Sequence, residues 1–143
     1  MGNRLAGDDA AGPEILDRLK KQCQFPVLDG GQAPENLLKP LIRLRPQTVL
    51  LIDAVHFGVS PGSVRLFEPE ELAEVDISTH AMSPKLVLQQ IRSRTGAQVF
   101  LLGIQPEQRE FGQPLSLPCR RAVESVSQRL IELSFQSAPD DKP

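Results

Sequence analysis

The stretch Thr48-Val49-Leu50-Leu51-Ile52-Asp53 decides most about the fold of this chain. Every residue from Val49 to Ile52 is apolar, and the run ends on a carboxylate. This is typical of a strand buried on both faces of a parallel sheet, so we expect it to be central. Ligands of open α/β sheets bind at the carboxyl ends of the strands, which makes Asp53 a candidate functional residue.

Helix and strand patterns alternate on both sides of this run. Upstream, the apolar spacing predicts a helix over 13–22, a short strand over 25–29, and a helix over 34–44 with a kink or late start at Pro40. Downstream it predicts an antiparallel edge strand over 63–67 and a helical turn within 68–76. A helix should follow from Ser83-Pro84 to Gly96, with its inward face formed by Leu86, Val87, Leu88 and Ile91. The last elements predicted are a strand over 97–104 and a helix over 120–135. The alternation predicts an α/β fold with a mostly parallel twisted sheet, one antiparallel strand and helices on both faces, a three-layer arrangement.

Length and composition favour one soluble domain. The 143 residues predict a single domain over 1–136 with a frayed tail over 137–143. A formal net charge of −2 gives no nucleic-acid footprint, and no apolar run is long enough to span a membrane. Cys23 and Cys119 lie far apart without CxxC spacing. We therefore expect a reducing cytoplasmic location, with neither nucleic acid nor membrane as a partner.

The first loop is the strongest site signal in the chain. It reads Gly2-Asn3-Arg4-Leu5-Ala6-Gly7-Asp8-Asp9-Ala10-Ala11-Gly12-Pro13. Three glycines and two adjacent carboxylates precede a proline that suits the first turn of a helix. The pattern predicts a tight loop that delivers acidic side chains to a surface.

Three residues of metal-ligand type fall at strand ends or in the loops beside them: Asp8 or Asp9, Asp53 and His80. Two carboxylates and an imidazole on one edge of a sheet could hold one cation. Each also has a plain structural explanation. An Asp at a strand end often caps a turn, Asp9 could complement the helix dipole, and a histidine before Ser-Pro can simply be solvated.

Two further candidates are weaker. Asp29 precedes Gly30-Gly31 and is more simply explained as a turn residue. His56 follows Asp53 by three positions and could lie away from the edge that carries Asp53.

The motifs taken together resemble the nickel-iron hydrogenase maturation endopeptidases over nearly the whole chain. Five motifs carry the resemblance, in order: Gly2-Asn3-x-Leu5-x-Gly7-Asp8-Asp9-x-x-Gly12-Pro13; Asp29-Gly30-Gly31 with Ala33-Pro34-Glu35-Asn36; Asp53-Ala54 with Pro61-Gly62; Thr79-His80-x-Met82; and Gly103-Ile104-Gln105-Pro106. The resemblance implies an endopeptidase that removes a C-terminal extension from a hydrogenase large-subunit precursor after nickel insertion.

The same resemblance implies that Asp9, Asp53 and His80 are the metal ligands. The nickel would be carried by the precursor, and other divalent ions should fit the same ligands. Three protein ligands would leave positions for ligands of the substrate. Nickel would then be a recognition handle that orients the scissile bond or also a Lewis acid on its carbonyl, and the sequence leaves both open. It identifies no nucleophile, so water is the expected attacker.

The sequence departs from the family pattern at its front. Family members have an apolar strand before the Gly-Asn loop, placed between the strands here at 26–29 and 48–53, and that strand is apparently missing. Either an upstream start exists or this is an inactive, truncated paralogue; the intact downstream motifs favour the first. A non-catalytic metal-binding module and a chaperone-like module that binds the precursor remain the alternatives to a protease.

Overall fold

The computed structural model describes residues 1–74 and 83–136. Its elements are a 3₁₀ helix at Gly7–Ala10, helix α1 (Ala11–Gln22), a 3₁₀ helix at Pro34–Leu37, helix α2 (Leu38–Leu44), strand β1 (Thr48–Ala54), strand β2 (Val64–Phe67), a 3₁₀ helix at Pro69–Glu74, helix α3 (Pro84–Thr95), strand β3 (Gln98–Ile104) and helix α4 (Leu117–Gln136). The alternation predicted from the sequence is confirmed. None of the described helices is both long and apolar enough to cross a membrane.

The described sheet is mixed and has the strand order β1-β3-β2. β1 runs parallel to β3, with Ala54 opposite Ile104, and β2 pairs antiparallel with β3, with Phe67 opposite Leu101. The antiparallel edge strand was therefore predicted correctly. The expected central position of 48–53 was wrong for the described sheet, because β3 lies between the other two strands.

Helices cover both faces of this sheet. Leu51 belongs to a core that includes Leu41 of α2 and Leu88 of α3. Its neighbour Ile52 belongs to a second core that includes Ile15 of α1 and Val123 of α4. Successive strand residues point to opposite faces, so β1 contributes to both cores and the predicted three-layer arrangement is confirmed.

The helix ends follow their local chemistry. Ser83 Oγ accepts a hydrogen bond from the Leu86 N–H at 3.3 Å, and Gly96 ends α3 at φ 72°. These caps confirm the predicted start and stop of α3. Pro40 lies in the first turn of α2, which explains the late start of that helix after a 3₁₀ turn.

Three local predictions were wrong. Residues 25–29 form no strand, because no strand lies beside them in the described chain and Pro26 lacks an N–H donor. Leu86 was expected to face inward but is 51% exposed, since it lies about 150° around the helix from the buried side of α3. Helix α4 begins at Leu117 instead of residue 120. The segment 77–82 and the expected frayed tail lie outside the described residues.

An apolar cavity of about 620 Å³ lies beside β1. Leucines of α1 and α4 border it on one side and leucines of α2 on the other, while β1 and the segment 25–28 form its walls. Met1 closes one end, where its ammonium donates to the Ile52 carbonyl at 2.7 Å, and Gly2 N–H donates to the Gly31 carbonyl at 3.1 Å. The expected absence of a first strand stays a prediction.

Candidate carboxylate site at the strand ends

The first loop packs directly against the end of β1. A Cβ atom added at Gly12 would overlap the Met1 carbonyl oxygen and lie 2.8 Å from the Ile52 carbonyl oxygen. Only glycine permits this approach of helix α1 to the strand. Asp9 precedes Gly12 by three residues and Asp53 follows Ile52, so the contact brings both carboxylates to one end of the sheet.

The pKa of the Met1 ammonium reflects the carboxylates around it. Burial lowers the pKa of this amine, because it penalises the charged form, while the carboxylates of Asp53, Asp29 and Asp9, in that order, act in the opposite direction. All three carboxylates therefore act electrostatically on one buried group. Asp53 is 1% exposed and Asp9 is 6% exposed, whereas Asp29 is exposed.

Short backbone hydrogen bonds orient the two buried carboxylates. Asp9 Oδ2 accepts the Asn3 N–H at 3.1 Å, and Asn3 Oδ1 in turn accepts the Leu5 N–H at 2.9 Å. Asp53 Oδ1 accepts the Ala54 N–H at 2.9 Å. The loop and the strand end thus fix the direction of each side chain.

Asp8 has different hydrogen-bond partners from Asp9. Its carboxylate accepts hydrogen bonds from the N–H groups of Glu107 (2.8 Å), Gln108 (3.1 Å) and Ser116 (2.7 Å) and from Ser116 Oγ (2.8 Å). Burial alone would raise the pKa of Asp8, but these bonds outweigh it and the pKa is lowered. Asp8 therefore fastens the first loop to the loop that follows β3.

Asp29 is a turn residue, as the plainer interpretation of the sequence held. Its Oδ1 accepts the Gly31 N–H at 2.8 Å, and its Oδ2 lies 3.3 Å from the Arg4 guanidinium. The Gly31 hydrogen bond first, and then Arg4, lower the pKa of Asp29. Arg4 also bonds Asp17 at 2.6 Å, so Asp29 belongs to a surface ion-pair network.

His56 lies at the same end of the sheet as Asp53, and its side chain is exposed. Its Nδ1 is 2.8 Å from Nε2 of Gln105, the first residue after β3. The sequence left the position of His56 open, and Gln105 was named only as part of a family motif without a role of its own. The position of a polar residue directly after a buried strand was the available signal for Gln105.

His80, the third predicted ligand, lies outside the described residues. Within 1–74 and 83–136, no group of three His, Cys, Asp or Glu side chains is arranged to hold a metal ion. Of the three predicted ligands, the structure describes Asp9 and Asp53, which are both buried and both act electrostatically on the Met1 ammonium; the metal site itself stays a prediction.

A mixed sheet between two helical layers, with buried carboxylates at the carboxyl ends of its strands, defines an α/β protein with its site on one edge of the sheet. The family model described as hydrogenase maturation protease, HycI, matches residues 13–133. The chain thus belongs to the hydrogenase maturation proteases and is an endopeptidase of hydrogenase maturation.

Individual relatives agree with this assignment. The chain is 38% identical over 133 residues to the hydrogenase 3 maturation protease of Escherichia coli strain K12, covering 91% of this chain and 85% of the relative. The solution structure of the endopeptidase HycI from Escherichia coli superposes with a TM-score of 0.83 at 37% identity, covering 92% of this chain and 85% of that one. The crystal structure of a NiFe hydrogenase maturation protease HycI from Thermococcus kodakarensis gives a TM-score of 0.86 at 28% identity, covering 94% and 88%.

Proposed function

We propose that this endopeptidase removes the C-terminal extension of a nickel-iron hydrogenase large-subunit precursor after nickel insertion, and that Asp9, Asp53 and His80 recognise the nickel. The observation that supports this most is the shared setting of Asp9 and Asp53 near the Met1 amine. They come from different elements, are buried, and act on the same ammonium group.

The ligand chemistry suits such a role. Burial of two carboxylates costs free energy that a cation between them would offset. Carboxylate and imidazole groups bind divalent ions of the nickel and zinc type, and a site with three protein ligands leaves positions for the ligands of the precursor. Nickel enters as cargo of the substrate and holds the scissile bond near the site, where water attacks it.

The proposal includes a cytoplasmic location. Cys23 and Cys119 are both free in the structure, and Cys119 is buried, where burial raises the pKa of its thiol. Cysteines that form no disulfide suit a reducing compartment.

Cleavage of a purified precursor tests the proposal. The chain is incubated with nickel-loaded and with nickel-free large-subunit precursor, and loss of the C-terminal extension is followed by gel mobility and mass. We expect cleavage of the nickel-loaded form only. Asp53→Asn should abolish it, whereas Asp17→Asn, which removes a surface carboxylate of the Arg4 network, should not.

The outcomes separate the alternatives. Equal cleavage of both precursor forms would contradict nickel recognition. Stable binding of the nickel-loaded precursor without cleavage would favour the chaperone-like alternative. Full activity of Asp53→Asn would remove Asp53 from the ligand set.

A further inference from the structure

His56 and Gln105 are brought together by the register of the two parallel strands. Ala54 lies opposite Ile104 at the ends of β1 and β3, and the Val55 N–H donates to the Ile104 carbonyl at 2.9 Å, one residue beyond the strand. His56 and Gln105 follow immediately. Both side chains therefore belong to the end of the sheet that carries Asp53.

The orientation of the Gln105 carboxamide is set by the backbone on both of its sides. Oε1 accepts the Phe57 N–H at 2.8 Å, and Nε2 donates to the Pro106 carbonyl at 3.3 Å. A flipped amide would place its NH₂ against an N–H and its oxygen against a carbonyl. Gln105 is only 4% exposed, so this pattern is held without competition from water.

This orientation fixes the tautomer of His56. The second N–H of the amide points at His56 Nδ1 over 2.8 Å, so Nδ1 accepts. In the neutral imidazole the proton then lies on Nε2. An exposed imidazole is thus held with a hydrogen-bond donor at its outer nitrogen.

The same polarity argues against His56 as an additional metal ligand. A histidine that ligates a metal donates its other ring N–H to a carboxylate, a carbonyl or water. His56 does the reverse, because its inner nitrogen accepts a hydrogen bond. The outer nitrogen carries a proton and has no lone pair to offer a cation.

We propose that His56 binds the substrate by donating its Nε2–H to a main-chain carbonyl of the precursor segment that enters the site, with Gln105 as the residue that positions it. The inference rests on the proposed peptidase function. A neutral carbonyl fits better than an anionic group, because Asp53 and Asp9 make this end of the sheet negative.

Kinetics of three proteins test this role: wild type, His56→Ala and His56→Gln, each with nickel-loaded precursor. A glutamine side chain can place an N–H donor near the position of Nε2, whereas alanine cannot. We expect KM to rise about fivefold to tenfold in His56→Ala, equivalent to about 1–1.4 kcal/mol, with kcat changed less than about twofold. His56→Gln should recover most of the lost affinity.

Two further measurements use the protein without precursor. Nitrogen NMR of the neutral imidazole should show a protonated Nε2 and an unprotonated Nδ1. Zinc affinity measured by calorimetry should be the same in wild type and His56→Ala.

Each contrary result has a defined meaning. An unchanged KM in His56→Ala, a proton on Nδ1, or a loss of zinc affinity would each overturn the inference. Absence of cleavage by wild type would instead count against the proposed function, and the NMR and zinc results would then show whether His56 is held as a donor.

Discussion

An apolar strand fused ahead of Met1 should stabilise this protein. The Met1 ammonium already lies on the Ile52 carbonyl, so residues added to it would run back along β1 toward Thr48. Five residues of strand span about 16 Å, which matches the length of Thr48–Ile52. Because helices border the cavity on both sides, we choose apolar residues at every position, as in Val-Ile-Val-Leu-Val.

The expected gain comes from three terms. The cavity of about 620 Å³ has room for about 20 water molecules, which an apolar strand would displace. Each buried aliphatic side chain contributes about 1.5–3 kcal/mol, and each ladder hydrogen bond adds about 1 kcal/mol. Ordering the backbone costs about 1–2 kcal/mol per residue. With the least favourable of these values, the net stabilisation over five residues is still about 3 kcal/mol.

The extension also changes the chemistry at Met1. The buried ammonium becomes an amide N–H, which removes a charge whose burial lowers its pKa. The side of β1 that has no partner strand within residues 1–74 and 83–136 becomes paired, which should reduce aggregation because unpaired strand edges recruit other chains.

Thermal and urea unfolding of two extended chains test the reasoning. The second carries five Gly and Ser residues in place of the apolar ones and controls for length and for loss of the charged amine. We expect Tm of the apolar extension to exceed that of the control by roughly 10–20 °C, with less light scattering and faster tail cleavage. Equal melting and equal cleavage rates for the two extensions would refute the strand-accepting role of the cavity.

Four substitutions test the carboxylates, His80 and the close contact at Gly12. Asp8→Asn should cost about 3–5 kcal/mol in urea unfolding, because an NH₂ group would face N–H donors in a buried position. The pKa of Asp8 in the folded state lies below its unfolded value of about 3.9, so the stabilisation from Asp8 is complete above that value and is lost as pH falls through the folded pKa. Asp8→Asn should therefore make the fall in unfolding free energy below about pH 4 less steep. An equally steep fall in the variant would contradict the structural role of Asp8. In calorimetry, His80→Ala and Asp53→Asn should each weaken binding of a divalent ion at least about tenfold, and the control Asp17→Asn should keep the wild-type affinity. The melting curve of His80→Ala should change little. Equal affinity in the wild type and all three variants would exclude the proposed ligands. Gly12→Ala should destabilise the protein by about 1–3 kcal/mol and lower its affinity for divalent ions, because the added methyl group forces α1 away from β1. The matched control is Glu14→Ala at an exposed position of α1, which should change neither property. Wild-type affinity in Gly12→Ala would show that the contact between α1 and β1 does not position the site.

Much of the fold could be predicted because its signals are local. A few neighbouring residues were enough to predict β1 and β3 from their apolar runs, and the two ends of α3 from Ser83 and Gly96. Periodicity also predicted the two-sided burial of the sheet. These features depend on the chain's own backbone and need no knowledge of what packs beside it.

The errors arise where a neighbour decides the outcome. The segment 25–29 has the composition of a strand but no strand beside it in the described chain, so it forms no ladder. The central position expected for 48–53 failed for the same reason, because sheet order is a property of pairing and not of one strand's composition. Gln105 could be read as an ordinary loop residue until the register placed it beside His56.

The adjacent carboxylates of the first loop show how local geometry assigns chemistry that composition leaves open. Gly7–Ala10 is a 3₁₀ helix, in which successive side chains point about 120° apart. Asp8 consequently faces the loop after β3 and takes up four hydrogen bonds there, while Asp9 points elsewhere and acts with Asp53 on the Met1 ammonium. In an extended loop the two side chains would alternate sides, and in an α-helix they would lie about 100° apart, so the sequence Asp-Asp alone fits several assignments. The 3₁₀ helix thus directs Asp8 to the loop after β3, where its hydrogen bonds hold the first loop in place. The fixed loop in turn holds Asp9 near the end of β1, where the proposed nickel recognition requires it.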